Sequence, residues 1–167
     1  MTEDLLVRAS GTALWRGRSY RCALGRSGIT LEKHEGDGAT PAGTWALREL
    51  LYRADRLAVP STRLPVSVIT GEDGWCDAPG DALYNRRIRL PYPASAEALW
   101  REDRLYDLII PVGYNDAPAL SGRGSAIFIH LATPDFAPTA GCVAFALADL
   151  LELLPGLGPD TRLVIRP

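Results

Sequence analysis

The chain has 167 residues, a formal net charge of −2 and 47% hydrophobic residues. That length buries about two thirds of the unfolded surface around one core, so residues 1–167 read as a single domain. The weak negative charge supplies no basic field for nucleic acid or an anionic membrane, and no segment reaches the roughly 20 apolar residues of a membrane span.

Three short apolar runs open the chain, Leu5–Val7, Thr12–Trp15 and Ser19–Leu24. Gly11 and Gly17 separate them at the spacing of a meander of hairpins. The first eleven residues have acids at Glu3 and Asp4 and no signal-peptide core. Gly36–Gly43 contains Gly-x-Gly, but neither a lysine nor a third glycine completes a phosphate-binding fingerprint. A tight turn joining two strands, with its backbone fixed by Thr40-Pro41, explains these residues better; Asp37 is then a functional acid or, as is usual for Asp in a Gly-flanked turn, part of local turn chemistry.

Thr44–Arg53 and Leu64–Thr70 read as strands, the second with Val66, Val68 and Thr70 spaced by two. Gly71–Pro93 is a long irregular stretch carrying Trp75, Cys76, Asp77, Tyr84 and Asn85. Loops of that length in a compact domain are functional lids or disordered, and the aromatics favour a lid. Such rings and amides can hold a peptide, with Arg86, Arg87 and Arg89 available for its carboxylates. The plainer alternative is a loop whose Trp and Tyr pin it to the core.

Ser95–Arg104 reads as a short helix with Ser95 as N-cap. Leu105–Val112 reads as a central strand running into Gly113-Tyr114-Asn115-Asp116. Ser125–Ala132 is the strand that carries His130. Leu147, Leu150, Leu151 and Leu154 follow helical spacing, which predicts a helix over 146–154 stopped by Pro155-Gly156. Thr161–Ile165 supplies a last strand.

The chemistry concentrates in Ile127–Val143. His130 closes an apolar run, a proline-containing loop follows, and Cys142 stands twelve positions later directly behind Gly141. A free thiol has a pKa of about 8.5, and a nearby imidazole is the usual means of raising its thiolate fraction. The bland reading makes His130 the end of a strand and Cys142 a small buried apolar residue. Thr139-Ala140-Gly141-Cys142 tips the balance, because a glycine before a nucleophile lets the backbone turn and brings main-chain N–H groups towards an attacked carbonyl. Cys142 is placed on a strand ahead of the helix. Cys22 reads as core, and Cys76 lacks a base or an oxyanion glycine. The three cysteines are too few for a disulfide scaffold, although Cys22 and Cys76 could pair in an oxidising compartment. With two histidines, no metal site is expected.

This segment resembles the signature of the YkuD-type L,D-transpeptidase family, a histidine followed by Ser/Thr-x-Gly-Cys. Thr40-Pro41-Ala42-Gly43 is similar to that family's Thr-Pro-x-Gly turn. Asp73–Asp77 with Tyr84-Asn85, and Gly113–Asp116, resemble a compact proteobacterial branch. Leu131 and Val143-Ala144 depart from the better known members, where glycine follows the histidine and an apolar residue and an arginine follow the cysteine.

The resemblance implies a mainly β domain, a mixed sandwich or barrel-like core with one or two short helices; periodicity alone supports only a β-rich mixture. It also implies a cofactor-free reaction of two peptidoglycan stem peptides, donor and acceptor, in the periplasm. Cys142 would be the nucleophile and His130 the base. Gly141 and Cys142 would offer oxyanion N–H groups, with Thr139 orienting the site, and Trp75, Tyr84, Asn85, Tyr114 and Asn115 would contact substrate. Family members commonly form 3,3 crosslinks and one proteobacterial branch forms 1,3 crosslinks; the resemblance, with the departures at Leu131 and Val143-Ala144, favours that branch. A cysteine amidase or endopeptidase and a non-catalytic peptidoglycan-binding domain are the alternatives. A papain-like protease is disfavoured by the order of histidine and cysteine.

Overall fold

The computed structural model describes residues 3–167. β1 (Glu3–Arg8), β2 (Thr12–Trp15) and β3 (Arg18–Ala23) form the expected antiparallel meander. Its β2–β3 link is two residues, Arg16 at φ 48° and Gly17 at φ 79°. Two successive left-handed residues match the twist of the flanking strands, which is why such links close hairpins.

β4 (Ile29–Thr30) and β5 (Thr40–Pro41) pair in parallel. The Gly36–Gly43 segment is therefore the end of a longer loop and not a hairpin turn. Asp37 does serve that loop, accepting from the His34 and Ala39 amides at 2.8 Å each and from the Lys33 ammonium.

The run read as one strand at Thr44–Arg53 divides into β6 (Gly43–Ala46) and β7 (Leu50–Tyr52). β8 (Val66–Val68) pairs with β7 in parallel. The stretch read as irregular contains β9 (Asp73–Cys76) and β10 (Arg87–Arg89), and the expected Ser95–Arg104 helix is replaced by β11 (Ala96–Ala98) and turns. These three build a separate small sheet in the order β10-β9-β11. Ala96, Leu99 and Trp100 do offer i, i+3 and i, i+4 spacing, but over a single turn, too little for a helix to hold on local grounds. Pairing with β9, Glu97 opposite Trp75, satisfies the backbone instead.

β12 (Leu108–Pro111), β13 (Phe128–Leu131), β14 (Val143–Phe145) and β15 (Thr161–Arg166) complete the main sheet. α1 (Leu147–Leu153) runs into a 3₁₀ turn at Leu154–Gly156. It buries Leu150, Leu153 and Leu154 and leaves Leu147 and Leu151 largely exposed, so its apolar face is rotated from the expected one. Among the described residues no helix is long and apolar enough to cross a membrane.

The main sheet has ten strands in the order β6-β15-β1-β2-β3-β14-β13-β12-β7-β8. β6 and β7 follow each other in the chain yet lie first and ninth in that order. In a flat sheet they would be roughly 38 Å apart, whereas the four steps from Ala46 to Leu50 span at most about 14 Å. The sheet must therefore roll until its ends approach, and a bridge between Leu47 and Val112 marks where they meet. Its concave face encloses the main core, including Leu5, Leu108, Ile129, Val143 and Phe145. The opposite face of β12–β14 carries a second apolar cluster, which includes Leu51, Leu99, Ile109, Phe128 and Cys142 with Trp75 packed on it. That cluster lies between the rolled sheet and the small sheet.

Candidate active site

β13 and β14 are parallel neighbours, with Ile129 opposite Val143 and His130 opposite Ala144. Side chains alternate across a strand, so Ile129 and Val143 enter the main core while Phe128, His130, Ala144 and, one step before β14, Cys142 face the second cluster. The spacing of His130 and Cys142 thus becomes proximity on one face. Both open into a cavity of about 330 Å³, whose walls also include Lys33, Glu97, Arg101, Tyr106 and Thr139.

The Cys142 thiol has fixed partners. Its S–H donates to the Ala126 carbonyl at 3.3 Å, and its sulfur accepts from the Phe128 amide at 3.3 Å. Burial pushes the thiol up to about 12, with the Phe128 N–H opposing that shift. His130 Nδ1 lies 2.8 Å from the Leu131 carbonyl. A carbonyl only accepts, so Nδ1 carries the proton and Nε2 has its lone pair free. Burial pulls this imidazole down to about 4. The resting pair is neutral thiol and neutral imidazole, and desolvation outweighs the thiolate-raising effect expected of a histidine neighbour. Alkylation by iodoacetamide, followed by intact mass, is accordingly expected to be slow at pH 7 and to accelerate about tenfold per pH unit up to at least pH 9. A rate already at its plateau by pH 7 would contradict the neutral pair.

The turn before Cys142 is held by Thr139. Its Oγ1 accepts from the Gly141 amide at 3.0 Å and donates to the Cys142 carbonyl at 2.7 Å. Its own backbone is tied to the end of β3, since the Thr139 amide donates to Leu24 and the Thr139 carbonyl accepts from Arg26, both at 2.9 Å. Gly141 has φ +141°, and a Cβ there would lie 2.7 Å from the Ala39 carbonyl oxygen. The glycine is required by backbone conformation and by close approach to the β5 loop. Its N–H is already committed to Thr139.

The other five residues singled out from the sequence do not line the cavity. Asn85, buried and left-handed at φ 58°, uses its whole hydrogen-bonding capacity on the protein. Its Oδ1 accepts from Trp75 Nε1 at 2.9 Å and from the Ala126 amide at 3.0 Å. Its Nδ2 donates to the carbonyls of Tyr114 at 3.1 Å and Asn115 at 2.8 Å. Ala126 is itself left-handed, at φ 53°, an uncommon state for a residue with a Cβ. Asn85 therefore anchors the strained residue whose carbonyl accepts the hydrogen bond of the Cys142 thiol.

Tyr84 donates to Glu35 Oε1 at 2.7 Å and accepts from the Gly124 amide at 3.0 Å. Tyr114 donates to the Arg123 carbonyl, and Asn115 closes the loop to Leu120 and Gly124. Trp75 packs edge-on against Phe128 with ring centroids 5.0 Å apart. Arg87 pairs with Asp73 and Arg89 with Glu72, inside the small sheet. These bonds brace the site, as in the plainer alternative of aromatics pinning a loop to the core, while Trp75, Asn85, Arg86 and Arg87 also line a second cavity beside Arg48 and Asp116.

Glu97, Arg101 and Tyr106 are cavity residues that the sequence does not single out. Glu97 and Arg101 fall in the segment that reads as a helix, and Tyr106 at the start of an apolar run. All three cysteines are free: Cys22 is buried in the main core, and Cys76 lies buried in the small sheet away from the cavity. Among the described residues no group of three or more His, Cys, Asp or Glu side chains could hold a metal.

The rolled sheet and its neighbouring cysteine and histidine define a β domain with a candidate acyl-transfer pair. The L,D-transpeptidase catalytic domain family, YkuD, matches residues 5–165, and the chain belongs to that family of peptidoglycan enzymes. Among solved structures it is similar to the helical cell shape determining protein Pgp2 from Campylobacter jejuni, at 12% identity and a TM-score of 0.44. That similarity covers 99% of this chain and 47% of Pgp2, so the chain spans about half of that protein's length. No curated protein matches it.

Proposed function

We propose that the chain is a peptidoglycan L,D-transpeptidase that works in the periplasm through a Cys142 thioester. The observation that carries this reading is the neighbouring placement of Cys142, one step before β14, and His130 on β13, open to one cavity, in a chain of this family. His130 Nε2 takes the thiol proton as sulfur attacks a donor stem-peptide carbonyl. The tetrahedral oxyanion is met by the Cys142 N–H, because the Gly141 N–H is bound by Thr139. Collapse expels the leaving amine, which receives the proton from His130, and leaves a thioester. An acceptor amine then attacks, His130 takes its proton, and the thiol is regenerated as the new amide forms.

Purified muropeptides incubated with wild type and with Cys142→Ala, separated by liquid chromatography and weighed by mass spectrometry, test the proposal. Crosslinked dimers are expected with the wild type alone, and fragmentation distinguishes 1,3 from 3,3 linkage. Hydrolysed monomers without dimers would make the protein an amidase or endopeptidase. No change with either protein would overturn catalysis.

A further inference from the structure

A base needs an orientation as well as a tautomer. The bond from His130 Nδ1 to Leu131 O constrains one edge of the imidazole but leaves the ring free to tilt about it. What packs on the ring decides the tilt. Tyr106 meets it edge-to-face, with centroids 5.2 Å apart and planes at 71°, and meets Phe128 in the same way at 5.8 Å and 76°. Such aromatic pairs contribute about 0.5–1.5 kcal/mol beyond the area they bury and prefer this geometry.

Tyr106 is in turn fixed from several sides. The carbonyl of the residue before it, Leu105, accepts the Leu131 amide at 2.9 Å, tying its backbone to the residue after His130. Its hydroxyl donates to Glu97 Oε1, and the Arg101 guanidinium lies over its ring, 5.1 Å from the centroid. Arg101 is itself paired with Asp103. Tyr106, Glu97, Arg101 and His130 all line the cavity that Cys142 opens into. A carboxylate largely removed from water is a costly acceptor for one hydroxyl, since water would serve without the desolvation penalty. A fixed end for the Tyr106 ring is a physical reason for it.

We propose that Tyr106 is a positioning residue for His130: its ring, anchored by Glu97 at the hydroxyl and by Arg101 over its face, holds the imidazole in the plane from which Nε2 receives the Cys142 proton. The proposal rests on the reading of His130 as the base. It differs from substrate binding, because its effect runs through the imidazole.

The test combines steady-state transfer kinetics with nitrogen NMR of the imidazoles, His130 being assigned by the signal lost in His130→Gln. The wild type is expected to show a single neutral Nδ1–H tautomer. In Tyr106→Leu the unrestrained ring should tilt far enough to leave the Leu131 carbonyl part of the time, so that signal should move towards tautomer averaging, with kcat falling about 10- to 100-fold and KM changing by less than about twofold, as for a misplaced catalytic group. Tyr106→Phe retains the ring and should keep kcat within about fivefold. Should Tyr106→Leu not fold, Glu97→Ala, which frees the hydroxyl end and like Tyr106→Phe keeps the ring, should change tautomer and kcat in the same direction by a smaller factor, about two- to fivefold. An unchanged tautomer and kcat in these variants, or a raised KM at constant kcat, would overturn the positioning role. If the wild type transfers no acyl group while the imidazole responds as described, the positioning stands and the transpeptidase reading falls.

Discussion

Replacing His130 by glutamine is expected to lower kcat for acyl transfer by about 10³-fold, within the range for loss of a general base. With the thiol pushed up to about 12, only about one molecule in 10⁵ carries a thiolate at pH 7. Nucleophilic attack then depends on a base that removes the proton as the carbonyl arrives. Glutamine can still donate to the Leu131 carbonyl but cannot take a proton. The same substitution should change the pH dependence of stability.

The His130 imidazole is held down at about 4 in the fold against an ordinary 6.5. Above pH 6.5 both folded and unfolded states are neutral there, and nothing is lost. As pH falls from 6.5 to 4 the unfolded chain binds a proton that the folded chain refuses, so stability falls, by about 3 kcal/mol at pH 4. Glu97 acts in the opposite sense, because burial raises its carboxyl. The difference between wild type and His130→Gln in urea denaturation from pH 7 to pH 4 isolates the histidine. Parallel stability curves would contradict the buried neutral imidazole, and an unchanged kcat would remove His130 from the proposed reaction.

Asn85→Asp is expected to destabilise the fold by about 3–5 kcal/mol although it exchanges a single side-chain group, because it leaves carbonyls unpaired around a buried charge. An aspartate side chain has the same shape and tolerates the same left-handed backbone, so φ strain does not enter. The two donations to the Tyr114 and Asn115 carbonyls become oxygen–oxygen contacts at a site only 5% exposed. The effect should reach Cys142, since the side chain also secures the Ala126 amide and the Ala126 carbonyl accepts the hydrogen bond of the thiol. Denaturation midpoints measure the first consequence. Faster alkylation of Cys142 under native conditions, at pH 7.5, measures the second. A variant as stable as wild type, with an equally protected thiol, would return Asn85 to a peripheral role.

What can be read from the chain alone follows from local causes. Arg16-Gly17 closes a two-residue hairpin because both residues adopt left-handed backbone, and Leu5, Val7, Ala13 and Trp15 alternate into the core as period-two patterns must. His130 at the end of an apolar run and Cys142 behind Gly141 are visible for the same reason. The Ser95–Arg104 segment reads wrongly as a helix because β11 owes its form to pairing with β9, some twenty residues earlier, and local propensity carries no information about that partner.

By itself, then, the sequence determined the β-rich class, the family signature and the two residues of the proposed chemistry. The tertiary structure alone decided the roll of the ten-stranded sheet, the neutral state of Cys142 and His130, and which polar side chains face the cavity. Each of these depends on desolvation and on partners brought together from distant positions: Asn85 with Ala126, Glu97 with Tyr106, and Tyr106 with His130. A residue type and its spacing specify what chemistry a side chain can do, while burial and hydrogen-bond partners specify whether it is free to do it.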